Sequence, residues 1–207
     1  MRRTGGYDPE NYNVPEGSYS SDPSDPASRV TEMKQMVKGL HGNDIRVIMD
    51  VVYNHVYNAA NHSFNKTVPG YYFRYDDNGS LVNNSGCGND TASERKMMRK
   101  YIVDSVTYWA KNYNVDGFRF DLMGLIDTET MKEVRAALDE IDPSIIILGE
   151  GWDMNTTMDE GEMTIQPNAY QVASDGTNNG IAFFNDSVRD GLKGIRVLRH
   201  RHRFRFR

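Results

Sequence analysis

Two short apolar stretches of this sequence each end in a carboxylate. Residues 115–121 end in Asp121, and residues 145–150 end in Glu150. If the two stretches are neighbouring parallel strands, both acids lie at the same edge of a sheet, because adjacent strands are about 4.8 Å apart. Two carboxyl groups about 5–5.5 Å apart are the arrangement that a retaining glycosidase uses. The spacing therefore predicts a sugar-cleaving site.

An arginine shares the predicted strand with the first acid. Side-chain alternation places Arg119 and Asp121 on one face, and Phe118 and Phe120 on the other face, which would pack on helices. A guanidinium beside an aspartate favours the ionised carboxylate that a nucleophile needs. A buried Arg–Asp ion pair without any catalytic role explains the same pattern equally well.

The second acid has apolar neighbours. Glu150 follows a run of apolar residues, and such surroundings raise the pKa of a carboxyl group, so that it can protonate a leaving glycosidic oxygen. Trp152 offers a flat surface on which a sugar ring can stack, although core packing is the more common role of an isolated tryptophan. The pairing of the two acids carries the prediction.

A third apolar stretch, residues 46–52, is β-branched and predicts a further buried strand. Asp50 lies near its end, and we predict that its charge holds Arg119 in place. Asn54 follows as a supporting residue. His55 lies just beyond the strand, where it can hydrogen-bond a sugar hydroxyl, although a lone histidine there is more often an ordinary loop residue.

Three amphipathic helices are predicted between these strands. The first begins at Pro26 with Asp25 as its cap, the second begins at a capping box over residues 91–94, and the third spans residues 131–141 and is stopped by Pro143. Alternation of helices with fully apolar strands predicts an α/β fold, in which a parallel sheet is covered by helices and is either closed as a barrel or left open.

Residues 53–92 form a polar stretch far longer than the usual loop of two to six residues between a strand and a helix. A barrel enzyme places its substrate-binding structure after the carboxyl end of a strand. We therefore expect this long loop to contribute to binding. Its aromatic residues, Tyr71, Tyr72, Phe73 and Tyr75, argue against a disordered insertion.

Composition limits the classes of function. The 207 residues, 38% of them hydrophobic, suit one domain but fall short of the roughly 250 of a complete eight-stranded barrel. A net charge of −5 argues against a nucleic-acid partner. No apolar run reaches the length of a membrane span, so no membrane partner is expected. The single Cys87 excludes an internal disulfide. No signal peptide opens the chain, and its localisation, cytoplasmic or secreted, stays open.

Three short motifs carry a resemblance to a known family. Residues 50–55 (Asp-Val-Val-Tyr-Asn-His), 117–121 (Gly-Phe-Arg-Phe-Asp) and 149–152 (Gly-Glu-Gly-Trp) resemble the first three conserved regions of the α-amylase family, glycoside hydrolase family 13. Two further stretches, residues 6–20 and 86–94, resemble type I pullulanases, the members that cut α-1,6 links in pullulan, starch and glycogen branches. The resemblance extends from about Gly6 to Gly194.

The resemblance implies a role for each matching residue. Asp121 would be the nucleophile of a double displacement, and Glu150 the acid that later acts as base. Arg119 and His55 would contact the attacked sugar, and Tyr7 would stack beneath its ring. An α-glucan would be the substrate, and no cofactor is required for the chemistry. Calcium is common in the family, but no ligand set can be assigned, so no metal-binding residue is predicted.

The chain also departs from the pullulanase pattern. The family has a later His-Asp pair, and no His-Asp dipeptide follows Trp152. Residues 195–207 hold six arginines alternating with apolar residues. Such a tail could bind polyanions or membranes, but we expect it to be a spurious or frame-shifted extension. We expect residues 1–194 to form a partial (β/α)8 TIM barrel, about strands three to six, whose exposed edges leave the chain weakly active or inactive.

The sequence is also compatible with three other functions. The same motifs fit a hydrolase that acts on α-1,4 links, since the linkage preference rests on the resemblance alone. A non-catalytic carbohydrate-binding remnant would need the aromatic residues but not the acids. Asp50, Asp121 and Glu150 could also form a magnesium site of the enolase kind. Arg119 on the same face argues against this site, because a guanidinium would compete with the cation.

Overall fold

The computed structural model describes residues 7–176 and 179–193, so the tail predicted over residues 195–207 lies outside the described residues. The strands are β1 (Ile48–Val51), β2 (His55–Val56), β3 (Asn89–Asp90), β4 (Gly117–Phe120), β5 (Ile146–Gly149) and β6 (Ala182–Phe183). The α-helices are α1 (Pro26–His41), α2 (Ser63–Thr67), α3 (Lys96–Tyr113), α4 (Thr128–Asp139) and α5 (Asp186–Lys193).

The main sheet has four strands in the order β1-β4-β5-β6, and every neighbouring pair is parallel. The parallel α/β fold is confirmed. The described strands do not close a barrel, so the partial TIM barrel stays a prediction. In the register of the sheet, Arg119 of β4 lies opposite Asp50 of β1 and opposite Leu148 of β5. This register brings the predicted acids to one edge.

Helices cover one face of the sheet. Phe118 and Phe120 of β4 are fully buried, as is Ile102 of α3 and Met131 of α4. These side chains belong to one core that runs between the sheet and the two helices. The predicted orientation of the two phenylalanines toward helices is confirmed, and it leaves Arg119 on the opposite face.

The predicted burial of the first strand was wrong. Ile48 of β1 is 43% exposed and Asp50 is exposed, whereas Val51 is buried. The reason is that β1 is an edge strand of the described sheet, and the face that bears Ile48 and Asp50 has no helix over it. A run of apolar residues predicts a strand, but it does not show which face of that strand a helix covers.

Of the two helix starts for which a cap was predicted, one is confirmed. The Asp25 side chain accepts from the Ala27 N–H and caps α1, whose first residue is Pro26. The capping box over residues 91–94 was wrong, because α3 begins at Lys96 without a side-chain cap. Thr91 instead donates its hydroxyl to the Tyr53 carbonyl, 2.5 Å away. The third helix ends at Asp139, before Pro143 is reached.

The long stretch between β1 and α3 is more ordered than the loop that was predicted. It contains α2 and an antiparallel pair of strands, in which His55 lies opposite Asp90. Its base is closed by the Thr91 N–H, which donates to the Asn54 carbonyl at 3.0 Å. Phe73 is fully buried, and it anchors the segment in the main core. The aromatic residues thus order this segment.

Candidate active site

An arginine joins three carboxylates at the carboxyl edge of the sheet. Nη1 of Arg119 lies 2.9 Å from Oδ1 of Asp50 and 2.9 Å from Oδ1 of Asp121. Nη2 of the same side chain forms an ion pair with Oε1 of Glu150. The acids come from the ends of β1, β4 and β5. The structure thus brings Asp50, Arg119, Asp121 and Glu150 together, and the predicted contact between Asp50 and Arg119 is observed.

The shared carboxylates stabilise the charge of Arg119. Its side chain is 15% exposed, and burial disfavours a charged guanidinium. Hydrogen bonds to Asp50 and Asp121, together with the charge of Glu150, outweigh this burial and raise the pKa of Arg119. A positive charge is therefore fixed at the centre of the three acids.

Glu150 is the most buried of the three acids, with 8% of its surface exposed. Burial raises the pKa of its carboxyl group, while the Leu122 N–H, which donates to Oε2 at 3.0 Å, and the charge of Arg119 lower it in part. The net shift is upward, as the apolar sequence around this residue predicts. Glu150 can therefore hold a proton under conditions in which an exposed glutamate would not.

Leu122 has a backbone conformation that a leucine rarely adopts. Its φ of 41° lies in the left-handed region. Leu122 follows Asp121 directly, and its left-handed conformation points its N–H toward the Glu150 carboxyl group. Gly124, two residues further on, donates its N–H to the Glu150 carbonyl at 3.0 Å. A Cβ at Gly124 would overlap the Trp152 carbonyl, so this turn and the loop after β5 fit closely only with glycine there.

Asn54 and His55 form a second layer behind Asp121. Nδ2 of Asn54 donates to the Asp121 carbonyl at 2.7 Å and to its Oδ2 at 3.1 Å. Oδ1 of Asn54 lies 2.5 Å from Nδ1 of His55. His55 is buried in β2, and its Nε2 lies 3.6 Å from Oδ1 of Asp8. The supporting role predicted for Asn54 thus has a geometric basis, while the sugar contact of His55 stays a prediction.

Tyr7 and Trp152, the two aromatic residues predicted to bind sugar, differ in their contacts with the acids. Tyr7 donates its hydroxyl to Oδ2 of Asp50 at 2.6 Å, and this hydrogen bond raises the pKa of Tyr7. Its ring is 47% exposed. Trp152 is partly buried in the loop after β5, and its indole N–H has no hydrogen-bond partner among the described residues. Stacking of a sugar on either ring stays a prediction.

Sequence reasoning missed two residues of this site. The Phe184 ring lies 5.4 Å from the Arg119 guanidinium and forms a cation–π contact. Phe184 follows β6 directly, and a strand of two residues leaves no periodic signal from which its position could be predicted. Leu122 gave no signal, since nothing in the sequence marks a leucine for the left-handed region.

The described residues give no metal-binding cluster. No group of three or more His, Cys, Asp or Glu side chains within residues 7–176 and 179–193 could hold a metal ion. Arg119 already bonds to all three acids of the candidate magnesium site, so the protein supplies the cation at their centre. No ligand set for calcium emerges from the described residues either. In the same part of the chain, no helix combines the length and the apolar character needed to cross a membrane.

Comparisons with known proteins point to one class of enzyme. The pullulanase of Bacillus subtilis (strain 168) is 49% identical over 189 residues, which are 91% of this chain and 26% of that protein. Pullulanase 1, chloroplastic, of Arabidopsis thaliana is 41% identical over 201 residues, covering 91% of this chain and 20% of that protein. The chain is strongly homologous to pullulanases. No protein-family model matches the sequence.

The fold agrees with the pullulanase relatives. The crystal structure of the Paenibacillus barengoltzii pullulanase in complex with maltohexaose and α-cyclodextrin superimposes with a TM-score of 0.85 at 53% identity, covering 89% of this chain and 28% of that chain. Pullulanases are glycoside hydrolases. The chain spans a fifth to a quarter of the length of the two curated pullulanases described above.

Proposed function

We propose that this cluster is the catalytic site of an α-glucan hydrolase that cuts α-1,6 links by a retaining double displacement. The observation that carries the proposal is the single arginine bonded to carboxylates at the ends of three parallel strands. Of these acids, Asp121 accepts hydrogen bonds from Arg119 and Asn54, whereas Glu150 is buried and its pKa is raised. Two carboxyl groups in different environments are what separate nucleophile and acid roles require. Homology to pullulanases supports the choice of linkage.

In the first step, an Asp121 carboxylate oxygen attacks the anomeric carbon of the sugar. The bond between this carbon and the glycosidic oxygen breaks, and the proton of Glu150 moves to the departing oxygen. In the second step, Glu150 takes a proton from water, the water oxygen bonds to the anomeric carbon, and the ester to Asp121 breaks. The configuration at the anomeric carbon is retained, because it inverts twice.

Arg119 has two functions in this mechanism. Its contacts with Asp50 and Asp121 hold the nucleophile in place beside a positive charge. Its Nη2 also contacts Oε1 of Glu150. Protonation removes the negative charge of Glu150 and so weakens this ion pair, although a carboxyl oxygen can still accept from the guanidinium. We infer that this weakening allows Glu150 to donate its proton to the substrate, while Arg119 stays bonded to Asp50 and Asp121.

The first test is the digestion of pullulan. Cleavage of its α-1,6 links releases maltotriose, whereas cleavage of its α-1,4 links releases trisaccharides that still contain an α-1,6 link. We expect maltotriose from the parent chain and none from Asp121→Asn. Asp104→Asn is the matched control, because Asp104 is exposed on α3 and forms an ion pair with Lys100 of the same helix. Trisaccharides with an α-1,6 link would overturn the linkage, in favour of an amylase-type hydrolase.

The second test detects the covalent intermediate and needs little turnover. A fluorinated α-glucosyl fluoride forms a glycosyl-enzyme that hydrolyses slowly. Mass spectrometry should place one sugar on the peptide that contains Asp121, and the Asp121→Asn variant should stay unlabelled. Binding of maltotriose without any labelling of Asp121 would favour a non-catalytic carbohydrate-binding protein instead.

A further inference from the structure

A second buried arginine lies in the long segment between β1 and α3. Arg74 is 2% exposed, and all its guanidinium nitrogens donate hydrogen bonds. Nη2 lies 2.8 Å from Oε2 of Glu94, Nη1 donates to the Leu125 carbonyl at 2.8 Å, and weaker bonds reach Ser93 and Thr156. One side chain thus ties the long segment to the turn after β4 and to the loop after β5.

The base of this side chain is itself fixed. The Arg74 N–H donates to the Asp90 carbonyl at 3.0 Å, and the Arg74 carbonyl accepts from the Val82 N–H at 3.1 Å. Because the backbone is held on both sides and the guanidinium is planar, the direction of its bonds is set. Arg74 therefore presents its donors to Leu125 from a rigid support.

The bond to Leu125 acts on the turn that faces Glu150. The Leu125 N–H donates to the Leu122 carbonyl at 2.9 Å, which closes the turn. The turn reaches Glu150 at two points, through Leu122 N–H to Oε2 and through Gly124 N–H to the main-chain carbonyl. The left-handed conformation of Leu122 costs free energy, and such conformations persist only where the surroundings enforce them.

We propose that Arg74 is a positioning residue for Glu150, which acts by holding the Leu125 carbonyl so that the Leu122 N–H stays aimed at the Glu150 carboxyl group. The proposal rests on the proposed function for the role of Glu150 as acid. Its geometric part, the link between Arg74 and the Leu122 hydrogen bond, can be tested without any turnover.

The charges that act on Glu150 do not include a contact with Arg74. Those that face it are Arg119 on β4, Asp121 at the end of that strand, and Asp50 on β1. Arg74 bonds instead to Glu94, Ser93, Leu125 and Thr156. A change at Arg74 should therefore reach Glu150 through the turn, and lysine cannot replace the arginine, because a single ammonium lacks the fork that spans Glu94 and Leu125.

The experiment is a pH titration of the whole chain by NMR, following the Glu150 carboxyl carbon and the Leu122 amide proton. In the parent, both signals should shift with one midpoint. In Arg74→Lys, the Leu122 amide should stop following Glu150, and the Glu150 midpoint should move upward, because the lost hydrogen bond favoured the ionised form. Arg135→Lys is the matched control. Arg135 is 4% exposed and donates to the Ile145 carbonyl at 2.7 Å, at the opposite end of β5.

Three results would overturn the proposal. The first is a parent chain in which the Leu122 amide ignores the titration of Glu150. The second is an Arg74→Lys chain that loses thermal stability as Arg135→Lys does, but keeps the parent titration. If Arg74→Lys does not fold, Glu94→Gln takes its place, because it weakens the bond between the guanidinium and a partly exposed partner. The third result is then a Glu94→Gln chain whose titration is the same as that of the parent. Absence of any labelled Asp121 in the trapping experiment would count against the proposed function, and with it the catalytic role of Glu150, but would leave these results intact.

Discussion

Glu150 is subject to opposing influences on the protonation of its carboxyl group. Burial raises the pKa of its carboxyl group, and a backbone N–H and a guanidinium partly offset that effect. The ionised form is therefore less favourable in the folded chain than in the unfolded chain. A residue in this situation destabilises the fold when it is charged, which is a common cost of a catalytic acid.

The pH dependence of stability should reveal this cost. The pKa of Glu150 is raised above its ordinary value of 4.5, so the folded chain binds the proton more tightly than the unfolded chain does. Its contribution to the free energy of unfolding is complete below the ordinary value and is lost as the pH rises through the raised value. Glu150→Gln should lack this loss, and its stability relative to the parent should increase over that window.

Urea denaturation at a series of pH values measures this difference. Glu140→Gln serves as the control, since Glu140 is exposed at the end of α4 and far along the chain from the turn at Leu122. If the stability of Glu150→Gln relative to the parent rose as the pH fell, the predicted sign would be wrong.

At the scale of elements, the sheet has one covered face and one open face. Ile147 of β5 points toward the helices and is 2% exposed, whereas Ile48 of β1 points the other way and is 43% exposed. Buried apolar surface contributes to stability roughly in proportion to its area. The two isoleucines should therefore contribute very differently, although both are strand residues in apolar runs.

Truncation of each isoleucine should measure the asymmetry. Ile147→Ala leaves a cavity in the core and should lower the free energy of unfolding by about 2–5 kcal/mol. Ile48→Ala should change it by less than about 1 kcal/mol, as is usual for surface positions. Equilibrium urea denaturation of both variants checks this. Equal losses would mean that the open face is covered in solution.

The sequence predicted those features that depend on nearest neighbours along a strand. The orientation of Phe118 and Phe120 toward the helices follows from side-chain alternation, and the pairing of Asp50 with Arg119 follows from their opposite charges. The capping box failed because Thr91 and Glu94 bond to distant partners, Tyr53 and Arg74, instead of to the start of α3. Propensity is a weak guide where tertiary contacts compete for the same side chains.

Other features could not be predicted because no residue type marks them. The burial of β1 depends on whether another element covers the face that bears Ile48 and Asp50. The residues of β1 themselves do not determine this. The left-handed Leu122 is held by its contacts and not by a glycine, so only the folded chain shows it. The position of Phe184 over Arg119 depends on β6, a strand of two residues, which is shorter than periodicity can detect.

At the scale of the whole molecule, the open face and the edge of β1 are the features that affect behaviour in solution. An edge strand offers unpaired N–H and C=O groups, and apolar side chains such as Ile48 lie beside them. The partly buried Ile146 and Leu148 of β5 alternate toward the same face. Exposed apolar side chains beside an unpaired strand edge favour association between molecules.

We expect self-association that grows with protein concentration and is reduced by Ile48→Lys. A charge at this position disfavours pairing along the edge. Val68→Lys is the matched control, because Val68 has the same exposure of 43% but lies in the long segment away from the sheet. Sedimentation velocity at several concentrations measures the effect. Equal reduction by both variants would show that net charge, and not the edge of β1, governs association.

The long segment between β1 and β4 also bears on how quickly the site assembles. Leu122 and Glu150 are 28 residues apart, whereas Asp50 and Arg119 are 69 residues apart. Closing a longer loop costs more entropy, so contacts of high sequence separation form later on average. The half of the site that contains Glu150 should thus fold as a local unit, and Asp50 should join it in a slower phase. A refolding chain would then acquire its acid before its nucleophile is fully held, and ordering of the long segment would set the pace of the last step.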